Sequence, residues 1–109
     1  MPHTIPVSQA NAMVNQYLIY MKEHGVDTKT QTHNIAFSSP ELLEWMNRVK
    51  TTTDEFRVCL GVYPSGQNAG RLTAIIWPYK DGKPAKKPTA GKGGDDDDED
   101  PYNEGGLTP

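Results

Sequence analysis

Two segments in which apolar and polar residues alternate, 56–63 and 71–77, constrain the fold of this chain most. Alternation with a period of two is the pattern of a half-buried β-strand. The connector between the segments holds Gly66, Asn68 and Gly70, which are residues that accept positive φ angles. We therefore predict an antiparallel β-hairpin with a long loop.

The alternation also gives the hairpin two different faces, because successive side chains of a strand point to opposite sides. One face is aliphatic or aromatic and comprises Phe56, Val58, Leu60, Val62, Leu72, Ala74 and Ile76. The other face is mixed and comprises Arg57, Cys59, Gly61, Tyr63, Arg71, Thr73, Ile75 and Trp77. Pro78 is expected to end the pairing, and Asp81-Gly82 offers a turn that returns a short third segment along the edge.

A first helix is predicted to begin at a Ser8 cap and to end before Gly25. Apolar residues at helical spacing form one stripe along it, namely Ala10, Met13, Val14, Tyr17, Leu18 and Met21. We expect this stripe to face the sheet. Ile19 and Tyr20 lie off the stripe, and either they are ordinary exposed apolar residues or they contact a second subunit.

A second helix is predicted to begin at residues 38–41, whose sequence SSPE combines a serine cap, a first-turn proline and an acidic residue near the positive helix end. Its buried stripe is Leu42, Met46 and Val49, with Leu43 and Trp45 on the two shoulders. Residues 32–37 alternate weakly and suggest an extra edge strand. The predicted fold class is α+β, with two helices packed on a small antiparallel sheet built around the hairpin.

Charge divides the chain into three regions. Residues 1–94 hold all 11 Lys and Arg but 7 of the 14 Asp and Glu, whereas residues 95–109 hold the other 7 acidic residues and no basic one. Residues 80–94 are rich in Lys, Gly and Pro and have no large aliphatic side chain to offset the entropy of ordering. We predict a single domain over 1–79, a linker over 80–94 and an acidic C-terminal tail over 95–109.

The tail contains one segment with the composition of a docking element. Tyr102 and Leu107 are its large apolar residues, and Gly105-Gly106 between them allows a tight turn. We expect this segment to cover the apolar groove beside Trp77, either on its own subunit or on a neighbour. The acidic residues would then lie near Lys83, Lys86 and Lys87.

No catalytic or metal site is predicted, and no cofactor. His3, His24 and His33 lack metal-ligand or catalytic spacing, and Cys59 lies mid-strand, where a lone cysteine is a small buried hydrophobe. The acidic run departs from the calcium-loop pattern, and its closeness to the basic tract argues against nucleic-acid binding. No apolar run reaches the roughly 20 residues of a membrane span. We expect a soluble cytoplasmic protein without membrane contact.

Two motifs carry a resemblance to known proteins. Residues 56–61 (FRVCLG) have the form hydrophobic-Arg-hydrophobic-x-hydrophobic-Gly, and the return strand is followed by Asp81-Gly82. With these motifs, residues 8–85 resemble a group of small α+β proteins of Bacteroidetes. No activity is assigned to that group, so the resemblance implies a fold and no catalytic residue.

The function predicted from the sequence is that of a non-enzymatic self-association or protein-interaction module. A two-stranded sheet is marginal alone, so a homo-oligomer is expected through the sheet edge or the back of the first helix. The candidate interface residues are Ile19, Tyr20, Tyr102 and Leu107. The alternative is a small-ligand or anion-binding protein whose site on the mixed face consists of Arg57, Tyr63, Arg71 and Trp77.

Overall fold

A computed structural model gives the fold of residues 3–88 and 98–108. Within these residues the chain has two α-helices and two small antiparallel sheets, which confirms the α+β class. The elements in chain order are α1 (Val7–Glu23), β1 (Asn34–Ala36), α2 (Ser39–Val49), a 3-10 turn (Lys50–Thr52), β2 (Glu55–Val62), β3 (Leu72–Lys80), β4 (Lys83–Pro84) and β5 (Gly106–Thr108). One sheet has the order β2-β3-β4, and the other pairs β1 with β5.

The predicted hairpin is present as β2 and β3, which pair antiparallel from Val62 opposite Leu72 to Glu55 opposite Tyr79. The expectation that Pro78 ends the pairing is wrong, because β3 continues to Lys80. Pro78 lies at a position whose backbone faces away from β2, and its carbonyl accepts the Ala85 N–H at 2.9 Å. The missing proline N–H therefore costs the β2–β3 ladder nothing.

The turn at Asp81-Gly82 returns the chain as β4, as predicted. Both residues have positive φ, 53° at Asp81 and 78° at Gly82, which matches the twist of a tight hairpin. Lys80 and Lys83–Pro84 therefore belong to the sheet and not to a linker, and Ala85 is only 1% exposed. Residues 89–94 of the predicted linker and 95–97 of the acidic run lie outside the described residues.

The core forms where α2 crosses the apolar face of the hairpin. Its buried residues are Trp45, Val49 and Ile76, and the partly buried Phe37, Leu42, Met46 and Tyr102 pack against them. Trp45 was expected on a shoulder of α2 but lies at the centre, with its ring centroid 5.6 Å from that of Phe56 and 5.1 Å from that of Tyr102. The indole fills this position because the strand and the returning tail approach it together. Leu43, on the other shoulder, is 55% exposed.

The first helix differs from the prediction in its packing. It begins at Val7 with Pro6 before it and without a side-chain cap from Ser8, and none of its residues is buried. Met13 and Val14 of the predicted core stripe are 59% and 56% exposed. Because α2 and Tyr102 already occupy the core end of the apolar face, α1 packs loosely at its rim. Its contact with the rest includes a hydrogen bond from the Tyr17 hydroxyl to the Thr32 carbonyl at 3.4 Å.

The predicted edge strand over 32–37 is the shorter β1, and it pairs with β5 from the tail instead of with the hairpin. Ile35 lies opposite Leu107. The two backbones approach closely at Gly106, where an added Cβ would lie 2.5 Å from the Ala36 carbonyl oxygen. Glycine at 106 therefore allows the tail to complete this sheet.

Replacing Trp45 tests the placement of the core. Trp45→Ala is expected to destabilise the fold by about 3–5 kcal/mol, because it removes the ring that Phe56 and Tyr102 share. The control is Leu43→Ala on the same helix, which is expected to change stability by less than about 0.5 kcal/mol. Denaturant unfolding measures both, and equal losses would contradict a core centred on Trp45.

Candidate functional site

The outer edge of β3 is occupied along its whole length, although by different groups. Ile76 exchanges two backbone hydrogen bonds of 2.9 Å with Tyr102. The Asn103 side-chain amide donates to the Ala74 carbonyl at 2.9 Å. At the far end, the Gln31 side-chain oxygen accepts the Leu72 N–H at 2.7 Å. Even-numbered residues of β3 therefore direct their backbone groups away from β2.

This alternation fixes the orientation of the β2 backbone. In an antiparallel pair, residues opposite each other are alternately hydrogen-bonded and non-hydrogen-bonded. Val58 lies opposite Ile76 and Leu60 lies opposite Ala74, so both are at non-hydrogen-bonded positions. Their N–H and C=O groups point to the outer edge of β2. Among the residues that the structure describes, no strand pairs with this edge.

The side chains beside this free edge are apolar and accessible. Leu60 is 83% exposed, Val58 66% and Val62 55%. Their partners on β3 are better covered, and Ile76 is only 7% exposed. The core thus ends between the two strands of the hairpin. The aliphatic face of β2, the edge strand of this sheet, is therefore exposed to solvent.

A groove of about 290 Å³ lies between this face and α1. It is lined by Val14, Tyr17, Thr32, His33, Ile35, Leu60, Leu72 and Thr73. Leu60 belongs to both the groove and the free edge, which makes the two surfaces continuous. The exposed part of the α1 stripe therefore adjoins the exposed face of β2.

The tail docks on its own chain in the described residues. Tyr102 packs on Trp45 and, at a centroid distance of 5.9 Å, on Phe37. The predicted place beside Trp77 is wrong, because Trp77 follows Ile76 in β3 and points to the opposite face. Leu107 pairs with Ile35, so both apolar residues of the segment contact their own subunit.

Glu104 holds the docked tail at the start of α2. Both of its carboxylate oxygens accept a hydrogen bond from the Ser38 N–H, at 2.8 and 3.0 Å. One of them also accepts a hydrogen bond from the Tyr102 hydroxyl. Ser38 makes no side-chain cap, so the predicted serine cap is replaced by a carboxylate from the tail. A negative group at this end of the helix is favourable because the helix dipole is positive there.

The residues predicted to bind an anion lie at two ends of the mixed face. Arg57 is opposite Trp77, whereas the Tyr63 N–H donates to the carbonyl of Arg71 at the hairpin loop. The six strand positions from 57 to 63 correspond to about 20 Å. The two arginines therefore do not converge on one ligand.

At each end of the mixed face, a side chain of the predicted anion site also bonds to other residues of the chain. The Arg57 Nε donates to Glu55 at 2.7 Å, and its guanidinium lies 4.0 Å from the centre of the Tyr79 ring. The hydrogen bond to Glu55 raises the pKa of Arg57, so its positive charge is retained. The Tyr63 hydroxyl donates to the Asn103 side-chain oxygen at 2.9 Å. Arg57 thus contacts residues of its own hairpin, whereas Tyr63 helps to hold the tail to the hairpin.

The predicted interface residues of α1 are accessible. Ile19 is 42% exposed and Tyr20 55%. The Tyr20 ring stacks on His24 with centroids 4.1 Å apart, and the backbone carbonyl of Tyr20 is 2.9 Å from the His24 Nδ1. This contact supports the last turn of the helix. Whether Ile19 and Tyr20 meet a second subunit stays a prediction.

A second, basic cleft of about 490 Å³ lies at the β4 end of the sheet. It is lined by Thr52, Lys80, Asp81, Lys83, Pro84 and Lys86. Lys86 forms an ion pair with Asp98, and Lys80 Nζ is 3.9 Å from the Asp54 carboxylate. Acidic side chains of the chain itself, one of them in the tail, therefore face these lysines.

The described part of the chain contains no cluster of His, Cys, Asp and Glu side chains suited to a metal ion. Cys59 is half-buried on the mixed face and is a free thiol. No helix among residues 3–88 and 98–108 has the length and apolarity to cross a membrane.

Comparison of the chain with protein-family models, with curated proteins and with solved structures gives no match. The resemblance to the group of Bacteroidetes proteins therefore stays a prediction. The functional conclusion depends on the geometry of the described residues alone.

Sequence reasoning named the sheet edge as a candidate interface but did not identify β2 as that edge or Leu60 as its most exposed apolar residue. The alternation of β2 shows which residues share a face. It does not show which face or edge the rest of the chain covers.

The titration of Tyr102 tests the docking of the tail. Burial against the core rings, and then the hydrogen bond to Glu104, raise the pKa of Tyr102 to about 12. The unfolded chain loses this proton near pH 10. The resulting contribution to stability is therefore present below about pH 10 and is lost as the pH rises to about 12.

We expect the free energy of unfolding of the wild type to fall more steeply over this pH range than that of Tyr102→Phe. Urea unfolding at a series of pH values measures both slopes. Tyr20→Phe, which removes a phenol from the exposed helix, is the control. If Tyr102→Phe has the same slope as the wild type, the phenol of Tyr102 is not held as described.

Proposed function

We propose that this chain is a self-association module that forms a homodimer by antiparallel pairing of β2 with the β2 strand of a second copy. The free edge of β2 carries the proposal, because its outward backbone groups lie beside Val58 and Leu60, which are 66% and 83% exposed. Unpaired edges of this kind are templates for another strand. A second copy brings the same edge.

The edge lacks the usual features that prevent pairing. Natural proteins protect edges with lysine, proline, bulges or very short strands. β2 has eight residues, contains no proline or lysine, and pairs with β3 without a bulge. Its charged residues, Glu55 and Arg57, are both at one end. The middle of the strand is therefore free to pair.

The association is expected to close at two copies. A strand edge that pairs with itself about a two-fold axis uses the same patch on both subunits, so each copy contributes one edge. The outer edge of β3 is occupied by β4, Tyr102, Asn103 and Gln31. A dimer of this kind consumes the β2 edge, and the partners of β3 among the described residues block growth from the other side of the hairpin.

Pairing also removes apolar surface from water. Fully burying a side chain such as valine or leucine stabilises an assembly by about 1.5–3 kcal/mol, before the cost of association is subtracted. Four exposed apolar side chains of β2 are available on each copy, Phe56, Val58, Leu60 and Val62. This supports pairing in addition to the backbone hydrogen bonds.

The proposed function is non-enzymatic and assigns the chain no cofactor. We also propose a cytoplasmic location, which the unpaired thiol of Cys59 supports because thiols stay reduced in that compartment. The separation of Arg57 from Arg71 gives no support to a single anion site on the mixed face.

A charge on the free edge tests the proposal. Leu60→Lys is expected to weaken dimerisation at least tenfold, about 1.4 kcal/mol, because each dimer then holds two lysines at the interface. Light scattering across a dilution series measures the shift from twice the 12.1 kDa chain mass to the chain mass itself.

Leu43→Lys is the matched control, because Leu43 is also an exposed leucine, at 55%, but lies on α2. It is expected to dimerise like the wild type. A wild-type chain that remains a monomer at all concentrations overturns the proposed function. If both variants weaken dimerisation equally, β2 is not part of the interface.

A further inference from the structure

The register of the dimer follows from the same edge, provided that the proposed function holds. We infer that β2 pairs with the β2 strand of the second copy about a two-fold axis through residue 59. Phe56 then lies opposite Val62 of the second copy, and Val58 lies opposite Leu60 of the second copy. Cys59 faces the Cys59 of the second copy.

The direction of the backbone groups limits the choice of register. Even-numbered residues of β2 point their N–H and C=O groups outward, and odd-numbered residues point theirs to β3. Two antiparallel strands form hydrogen bonds only where outward-facing residues lie opposite one another. The two-fold axis must therefore pass through a residue, and residues 58 and 59 are the two nearest the middle of Glu55–Val62.

Hydrogen bonding favours residue 59. With the axis there, all four outward-facing residues, Phe56, Val58, Leu60 and Val62, are opposite another member of the same set. Each such pair shares two hydrogen bonds, which gives about eight across the interface. With the axis at residue 58, Val62 lies opposite Asp54, which precedes β2 and whose N–H already donates to the Tyr79 carbonyl at 2.9 Å.

Side chains favour the same register. With the axis at residue 59, the phenyl ring of Phe56 lies opposite the β-branched Val62 of the second copy, a favourable cross-strand pair. On the mixed face, Arg57 lies opposite Gly61, which has no side chain to crowd it. With the axis at residue 58, the apolar Val62 lies opposite a carboxylate and Arg57 lies opposite Cys59.

The register has a geometric consequence that can be measured. Cys59 is at a non-hydrogen-bonded position of the new pair, where facing Cα atoms are about 4.5 Å apart. That distance is within the range of about 4.4–6.8 Å that a disulfide spans. With the axis at residue 58, the two Cys59 residues are diagonal neighbours with Cα atoms about 7–8 Å apart, and Cys59 instead faces Arg57.

Thiol cross-linking with diamide tests the inference on the unmodified chain. Diamide takes two electrons and two protons from two thiols, becomes the hydrazine, and leaves a disulfide. The wild-type dimer is expected to form a Cys59–Cys59 cross-link at least tenfold faster than the Cys59→Ser, Arg57→Cys double variant cross-links to itself. In the inferred register, residue 57 lies opposite residue 61 of the second copy, four strand positions away from residue 57 of that copy. The double variant is therefore the matched control, because its two thiols are too far apart to cross-link readily.

A mixture of the wild type with the double variant distinguishes the two registers. A mixed cross-link between residues 57 and 59 that forms faster than the 59–59 cross-link overturns the inferred axis and leaves the dimer intact. A dimer by light scattering that gives no 59–59 cross-link also overturns the register. A chain that is monomeric by light scattering removes the proposed function itself.

Discussion

Occupation of both edges of β3 is the constraint on which the rest of this structure depends. One edge carries the hairpin partner β2, and the other is shared by β4, Tyr102, Asn103 and Gln31. These partners come from three separate parts of the sequence, so β3 joins the start, middle and end of the described chain. A small chain buries little of its surface, and concentrating its contacts on one strand gives it a core. Within the described residues, β2 is left with one unpartnered edge and an exposed apolar face.

The local elements were predictable because their signals are local. The hairpin followed from the alternation of β2 and β3, and the return at Asp81-Gly82 followed from residues that accept positive φ. The error at Pro78 has a different origin. Whether a proline interrupts a strand depends on which edge its nitrogen faces, and that is set by the partners of the strand and not by its own sequence.

Burial was less predictable for the same reason. The apolar stripe of α1 has the spacing of a core face. Met13 of this stripe is nevertheless 59% exposed, because α2 and the tail occupy the core end of the sheet face. Trp45 is central because Tyr102, more than fifty positions later in the sequence, packs on it. The composition of the tail indicated that Tyr102 and Leu107 would dock, but composition does not identify the receiving surface. Which surface receives the tail is decided by competition between distant segments of the chain for one face of the sheet.

Hydrogen exchange of the β2 amides as a function of protein concentration tests the free edge most directly. The amides of Arg57 and Cys59 point into the β2–β3 ladder and serve as internal references, whereas those of Val58 and Leu60 point outward. Our account predicts fast exchange at Val58 and Leu60 in dilute solution and slow exchange once the chain dimerises, with Arg57 and Cys59 protected throughout. Fast exchange at Val58 and Leu60 in a sample that light scattering shows to be dimeric would contradict it.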